Sequence, residues 1–549
     1  MEHCLFDFFT PELAQKAGFI EKIFDGEKTP LEEIPPAETR RGNPLVTGLE
    51  YDSRRVVPGS LYFALPGQHT DGHNFIPDAI QRGALVIIHQ RELSRYQEGV
   101  VYIRVRDSRF AMSPIAHVFY QCPSSRLALI GVTGTEGKST TVYLIYQLLT
   151  LAGKKAGFIS TVQYGDGVSE IWNPEHQTTP EATVVHKLLR DIRDKGAEYA
   201  VVEASSHGLS ERTNRLGDVI FDVGVMTNVT HEHLEFHGTW EQYRNDKANL
   251  FRSLDREQTG HIKALKQKES PGGGPVKSTA VPSFGVVNAD DPSAAYFAAA
   301  TRHKTYTYST RGADADLSLR SLSGGIRGNW YEVLIRETGE ILDIRDQLPG
   351  AFNAGNVLAG LLTVSVLLSV PVRELIPLAV FLKPVRGRMT VVQRGQPFEV
   401  MVDYAHTPSS FETIFPPLRE RMDQDGGRII SLFGSAGERD VKKRSEQGRI
   451  AGEWSDLVIL TDEDPRGEEP LDILEEIARG CPERRREEDL FLIPDRPAAI
   501  RKAFSLARPG DLVLLLGKGH ENSIIYASRQ RDYDEIREAE KALAEMGYG

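Results

Sequence analysis

The sequence predicts an α/β protein of about three domains with largely parallel sheets. Three observations predict it. Apolar runs alternate with helical patterns along most of the chain, as where Leu127–Val132 precedes a helical Val142–Leu151. At 549 residues the chain is too long for one hydrophobic core. Its 40% hydrophobic and 26% charged residues are the balance of a globular protein.

The elements fall into three blocks. The first, 1–124, ends near Cys122-Pro123-Ser124-Ser125. The second, 125–383, opens on the Leu127–Val132 strand and closes at Lys383-Pro384. The third, 384–549, carries short strands at Arg428–Phe433, Leu457–Leu460 and Leu512–Leu516. Within the second block, 256–282 is polar and then rich in Pro and Gly, which reads as a flexible surface loop. No internal repeat is visible.

A net charge of −12 disfavours a nucleic-acid backbone as the main partner. The three cysteines, Cys4, Cys122 and Cys481, give neither a disulfide framework nor zinc spacing, so a reducing cytoplasm is expected. The N-terminus lacks a basic region followed by an apolar core. No apolar run reaches about 18 residues, so no membrane span is expected. Monomer is the default.

Gly134, Thr135, Glu136, Gly137, Lys138, Ser139 and Thr140 form a Gly-rich loop between strand and helix. Such a loop turns backbone N–H groups and a helix N-terminus toward an anion. Lys138 would meet the terminal phosphates of a nucleoside triphosphate and the Ser139 hydroxyl a Mg²⁺. Val132 stands where the common pattern has Gly. A helix start without a ligand is the bland alternative, and the flanking strand and helix weigh against it.

Glu203 ends a strand-like Ala200-Val201-Val202 and opens Glu203-Ala204-Ser205-Ser206-His207. There a carboxylate is placed to hold Mg²⁺, though a loop acid or N-cap accounts for it equally well. His231, Glu232, His233, Glu235 and His237 cluster in the following loop without a His-Glu-x-x-His pattern. Metal ligation and a plain surface loop both fit. Lys247, on a helical Tyr243–Phe251, reads by itself as a solvated lysine.

Taken in order, the phosphate loop, the Glu-x-Ser-Ser-His run, the Thr227-Asn228 loop ending in His237-Gly238 and the Tyr-x-x-x-Lys helix resemble the Mur ligase family. Those enzymes add amino acids to the peptide of the bacterial cell-wall precursor. Further motifs resemble its MurE type. They are Asp52-Ser53-Arg54 and Asp71-Gly72-His73 in the first block, Gln177-Thr178-Thr179-Pro180 in the second, and Gly350–Asn356 beyond it. The third block adds Asp403–Pro408, Gly434–Asp440, Glu463-Asp464-Pro465-Arg466 and Gly517–Glu521.

The resemblance implies an N-terminal UDP-binding domain, a central P-loop ATPase-like domain and a C-terminal Rossmann-like domain. ATP would phosphorylate the D-glutamate carboxylate of UDP-MurNAc-L-Ala-D-Glu, and the amine of a free diamino acid would attack the acyl phosphate. Lys138, Glu203, His233 and Lys247 would be catalytic. Ser139, Glu203, His233 and a Lys247 carbamylated by CO₂ would hold Mg²⁺. Asn353 and Asn356 would lie on the adenine side. Ser53, Thr178, Thr179, Ser205 and Arg212 would meet the muramyl substrate, with Arg215 as the alternative to Arg212. Arg439, Glu463, Asp464, Arg466, Gly517 and Glu521 would select the amino acid. His406, beside Tyr404, would line the nucleotide as the third domain closes, a buried strand end being the alternative.

The family motif at 463–466 is usually Asp-Asn-Pro-Arg, so Asp464 adds a negative charge. That favours a terminal ammonium and leaves meso-diaminopimelate, L-lysine and L-ornithine open. Glu136 stands where Asn is usual, and Glu232 and Glu235 where Asp is. The rivals are another Mur or folylpolyglutamate-type ligase, and a P-loop binding protein without catalysis. The Asp52-Ser53-Arg54 and 463–466 motifs oppose the first. Lys138, Glu203, His233 and Lys247 together oppose the second.

Overall fold

The computed structural model describes residues 2–24, 27–29, 42–67, 70–175, 177–230, 234–256, 264–266, 278–325 and 328–549. The chain divides into two compact units. One comprises Met1–Ser321, Tyr331–Ile344 and Ala354–Val380; the other comprises Leu322–Trp330, Arg345–Asn353 and Phe381–Gly549.

The first unit holds two α/β sheets. Its N-terminal sheet runs Glu27–Thr29, Phe19–Phe24, Val101–Val105, Val86–His89, Ser60–Phe63, Gly48–Glu50, with the last four strands parallel. Its central sheet runs Glu170–Trp172, Gln163–Gly165, Ala156–Ile159, Tyr199–Glu203, Ala128–Thr133, Val223–Met226, Phe284–Asn288, Thr305–Ser309. Pairing is parallel from Ala156–Ile159 onward. Leu129, Ile130, Val132, Val201, Val202 and Val225 are fully buried, because helices cover both faces of a parallel sheet.

This order places the ends of three neighbouring strands together. Glu203 pairs with Val132, and Met226 with Thr133. The chain therefore leaves the sheet at one edge, through the phosphate loop, Glu203–Ser206 and Thr227–Asn228. In an open α/β sheet that carboxyl edge is where ligands bind.

The second unit repeats the principle. Its sheet runs Thr390–Val391, Glu399–Asp403, Leu512–Leu516, Ile429–Phe433, Leu457–Leu460, Leu490–Leu492, parallel from Glu399–Asp403 onward. Apolar clusters fill both its faces. The strand ends carry Tyr404–His406, Gly517–Lys518 and Asp462–Asp464 to one edge.

The strands expected at Leu457–Leu460 and Leu512–Leu516 form over those residues. The phosphate-loop helix begins earlier than its apolar pattern, at Lys138. In the 256–282 segment Ala264–Lys266 pairs antiparallel with Ser278–Ala280, a short ladder that its composition did not predict. The rest of that expectation falls mostly outside the described residues.

Candidate active site

The phosphate loop is held by its neighbours on the strand ends. Thr135 N–H donates to the Asn228 carbonyl at 2.8 Å and Glu136 N–H to Asn228 Oδ1 at 2.8 Å. The Thr227 hydroxyl donates to the Glu136 carbonyl at 2.6 Å. Gly134 and Gly137 both have positive φ, at +151° and +79°. A Cβ on Gly134 would stand 1.9 Å from Thr227 Oγ1, and one on Gly137 2.6 Å from Asn356 Oδ1. The loop is thus Gly-rich for close approach as well as for its turn. The Glu136 main chain anchors it, its N–H bonded to Asn228 and its carbonyl to both Thr227 and Asn228.

Ser139 opens the following helix, and its hydroxyl donates to both oxygens of Glu203, at 3.0 and 2.9 Å. Glu203 is buried and also accepts from Thr161 N–H at 2.8 Å. Glu203 is thus a buried strand-end carboxylate that faces the loop. Lys138 donates to the Thr135 carbonyl at 2.6 Å. Asn356, on the helix Asn353–Leu368, accepts from the Thr141 hydroxyl at 3.1 Å, beside the loop. Asn353 instead donates to the Pro349 carbonyl at 2.7 Å.

Lys247 corrects the bland reading of a solvated helix lysine. It is 1% exposed on the helix Trp240–Ser253 and donates to the Gly134 carbonyl at 2.5 Å. Its ammonium lies 4.4 Å from the centre of the Tyr243 ring. The Tyr243 hydroxyl meets Thr135 Oγ1 at 3.1 Å, so this helix buttresses the loop twice. His231, Glu232 and His233 lie outside the described residues, as does the Glu235 side chain.

His237, the last residue of that cluster, is buried between Asp246 at 2.7 Å and Ser206 at 3.1 Å. Gln242 donates to the other Asp246 oxygen at 2.8 Å. The His and Asp stand nine residues apart in sequence, a spacing with no helical or strand meaning.

Thr179 ties the muramyl-side motif to Glu203. Its hydroxyl donates to the Glu203 carbonyl at 2.8 Å and accepts from Ser205 N–H at 3.0 Å and Ser205 Oγ at 2.9 Å. The two arginines after Ser-Ser-His part company. Arg215 is committed to the Thr179 carbonyl at 2.8 Å and to Glu181 at 3.0 Å. Arg212 is exposed, stacked 4.5 Å over Phe236 and donating to its carbonyl at 2.6 Å. Ser53 is buried in a turn that the Asp52 carboxylate caps. The adjoining Tyr51 and Arg55 meet Glu175 at 2.9 and 2.7 Å.

In the second unit the amino-acid motif folds onto a lysine. Lys518 is fully buried and donates to Asp464 at 2.9 Å and Glu521 at 2.5 Å. Burial works against its ammonium, but the two carboxylates outweigh it and hold its pKa above the ordinary lysine value. Asp464 also accepts from Ile525 N–H at 3.0 Å. The extra charge expected to attract a substrate ammonium therefore already has a partner. That partner, Lys518, lies 54 residues further along the chain and belongs to no local pattern around Asp464.

Glu463 is buried beside Gly517, its Oε2 makes no hydrogen bond within the described residues, and burial pushes its carboxyl pKa up. Arg466 takes a left-handed φ of +56°, its N–H bonded to the Ile525 carbonyl at 2.9 Å. Arg439 is exposed. The Glu521 carboxylate accepts from the Tyr404 hydroxyl at 3.3 Å. The Tyr404 ring packs at a tilt against His406 and His520, with ring centres 4.5 and 4.7 Å away. The His406 carbonyl takes Lys443 at 3.1 Å and Gln447 at 3.0 Å.

Three segments match known family models: residues 45–120 the Mur ligase family catalytic domain, 132–269 the Mur ligase middle domain, and 387–519 the Mur ligase glutamate ligase domain. A Treponema denticola UDP-N-acetylmuramyl-tripeptide synthetase is 50% identical over 518 residues, 91% of this chain and 94% of that protein. The chain belongs to the Mur ligase family. Within that family it is of the MurE type. A Geobacillus kaustophilus UDP-N-acetylmuramoyl-L-alanyl-D-glutamate–2,6-diaminopimelate ligase is 36% identical over 509 residues, 92% of this Mur ligase and 96% of that protein. A solved structure of a ligase of that name matches with TM-score 0.57 and 26% identity, covering 94% of this chain and 98% of that one.

Proposed function

We propose that the Ser139–Glu203 pair and its phosphate loop form the ATP end of a carboxylate–amine ligase. The chain is an ATP-dependent ligase that adds a diamino acid during peptidoglycan precursor synthesis. Its acceptor is UDP-MurNAc-L-Ala-D-Glu, whose D-glutamate carboxylate takes the γ-phosphoryl group. The amine of the diamino acid attacks that acyl phosphate, forming the amide and releasing phosphate. The single observation that supports this most is the Ser139 hydroxyl bonded to both Glu203 oxygens at the loop's edge.

Phosphoryl transfer needs positioning and charge neutralisation more than a covalent protein group. The loop amides and Lys138 receive phosphate oxygens. The Ser139 hydroxyl and Glu203 carboxylate are hard oxygen donors that suit Mg²⁺, which neutralises charge on the phosphates when bound. Among the described residues no group of three or more His, Cys, Asp or Glu makes a self-sufficient metal cage. Substrate oxygens and His233 would complete the ligand set.

As an ammonium, Lys247 cannot ligate a cation. Addition of CO₂ to its neutral amine, with loss of one proton, would give an anionic carbamate with two oxygen ligands. Thr178, Thr179, Ser205 and Arg212 take the muramyl peptide, and Ser53 the uridine end. Arg212 is the better candidate because Arg215 is spent on Thr179 and Glu181. Asn356 and Asn353 serve the adenine side. Arg439 and Arg466 take carboxylate and Glu463 takes ammonium, with Glu521 and Gly517 beside them. The free thiols of Cys4, Cys122 and Cys481 support a cytoplasmic setting. Among the described residues no single helix is long and apolar enough to cross a membrane.

The test supplies ATP, Mg²⁺, bicarbonate and UDP-MurNAc-L-Ala-D-Glu with meso-diaminopimelate, L-lysine or L-ornithine in turn. Phosphate release and a tripeptide mass are expected with at least one. No product with any of the three refutes the ligase reading.

A further inference from the structure

Glu181 carries a set of contacts that the ligation chemistry does not use. It precedes the helix Ala182–Asp194, yet its side chain makes no capping bond there. Instead its Oε1 accepts from Arg109 at 2.7 Å and Arg215 at 3.0 Å, with the Glu181 side chain 7% exposed. Arg109 lies on the helix Ser108–Phe119, which packs in the core of the N-terminal sheet. Arg215 follows Ser-Ser-His in the central body. One buried carboxylate oxygen therefore joins a cation on a helix of the N-terminal sheet to one in a loop of the central body.

Arg215 passes the connection inward. Its second amine holds the Thr179 carbonyl at 2.8 Å, and the Thr179 hydroxyl holds the Glu203 carbonyl and both polar groups of Ser205. The same seam is stitched alongside. Asn214 Nδ2 donates to the Phe110 carbonyl at 3.0 Å, and Asp218 N–H to Ser113 Oγ at 3.0 Å. Asn214 itself sits at a left-handed φ of +51°, a backbone state that a side-chain anchor helps to hold.

We propose that Glu181 is a positioning residue. It holds Arg215 against Thr179, and so sets the main chain of Glu203 and Ser205 relative to the N-terminal substrate domain. This rests on the ligase reading above. The bridge reaches Glu203 through its main-chain carbonyl, whereas the phosphate loop meets the Glu203 carboxylate through Ser139, so its loss falls on turnover more than on ATP affinity. Arg109 is the outer arm of the bridge and Arg215 the inner one.

The decisive variants are Glu181→Gln, which keeps the oxygen and loses the charge, and Arg215→Lys, which keeps the charge and loses the fork. Each should lower kcat about tenfold or more while KM for ATP stays within about twofold. Arg109→Met should cost less, and Arg109→Met combined with Glu181→Gln no more than Glu181→Gln alone. Hydrogen exchange gives a readout that needs no activity: the Ser205 amide should exchange faster in Glu181→Gln than in wild type, with the loop at 134–140 unchanged. Unaltered kcat and unaltered Ser205 exchange in both inner variants would overturn the proposal. So would a kcat loss that vanishes once rates are divided by the folded fraction. A wild type that ligates no amino acid would instead remove the ligase reading, and the exchange result would still decide the bridge.

Discussion

Lys247 shows the sharpest tension between a side chain and its surroundings. A buried ammonium over an aromatic ring, bonded to a loop carbonyl, is a stable strut. A carbamate there would be an anion among oxygen acceptors, and a bound cation is what would make that favourable. Wild-type protein in ¹³C-bicarbonate with Mg²⁺ and ATP should give a carbamate carbon resonance, absent from Lys247→Ala. Turnover of Lys247→Ala should fall about 100-fold or more; full activity would remove the carbamate reading. Lys518 is the second such residue. Lys518→Met leaves two carboxylates without their cation and should cost about 3–5 kcal/mol in denaturant unfolding. Asp464→Asn keeps an acceptor for Lys518 and should cost only about 1 kcal/mol. It should also leave the choice of diamino acid unchanged. A switch in preference would restore Asp464 as a selector.

At the scale of elements, the phosphate loop works because three strand ends meet. Thr227 and Asn228 come from one neighbouring strand, Glu203 from the other, and the loop is bonded to both. Gly137 is a tight point, with its positive φ and its approach to Asn356. Gly137→Ala should lose about 1–3 kcal/mol of stability through backbone strain. Calorimetry should also show weaker ATP binding, since Asn356 must move. An unchanged melting temperature would mean that the loop relaxes freely. The second unit uses the same device, gathering Tyr404, Glu463 and Lys518 from three different strand ends.

At the scale of the whole molecule, burial of charge ties stability to pH. Glu50 ends a strand of the N-terminal sheet. Burial raises its pKa from 4.5 to about 7, opposed by Arg55 and reinforced by Asp52 and Glu175. Between those values the folded protein holds the proton and the unfolded chain has released it. Stability therefore falls as pH rises from about 4.5 to about 7. Glu50→Gln removes that slope, so its melting temperature should exceed that of wild type near pH 8 and converge with it near pH 4. An equal gap at both pH values would show that Glu50 does not titrate in this range.

The sequence by itself determined the α/β class, the strand–loop–helix around Gly134–Thr140 and the order of motifs that marks a Mur ligase. These are local signals: periodicity, glycine in a turn, and short spacings read directly from the chain. Glu203 and Lys247 were legible as positions, but their environments were not, because burial depends on what packs from elsewhere. Only the tertiary structure showed Ser139 on Glu203, His237 on Asp246 and Ser206, and Arg215 spent on Thr179 and Glu181. It also showed Asp464 paired with Lys518. A charge in sequence is an unpaired number, and its effect is set by the counter-ion that the fold brings beside it. Lys518 stands fifty-four positions away, and only the parallel sheet closes that distance to 2.9 Å.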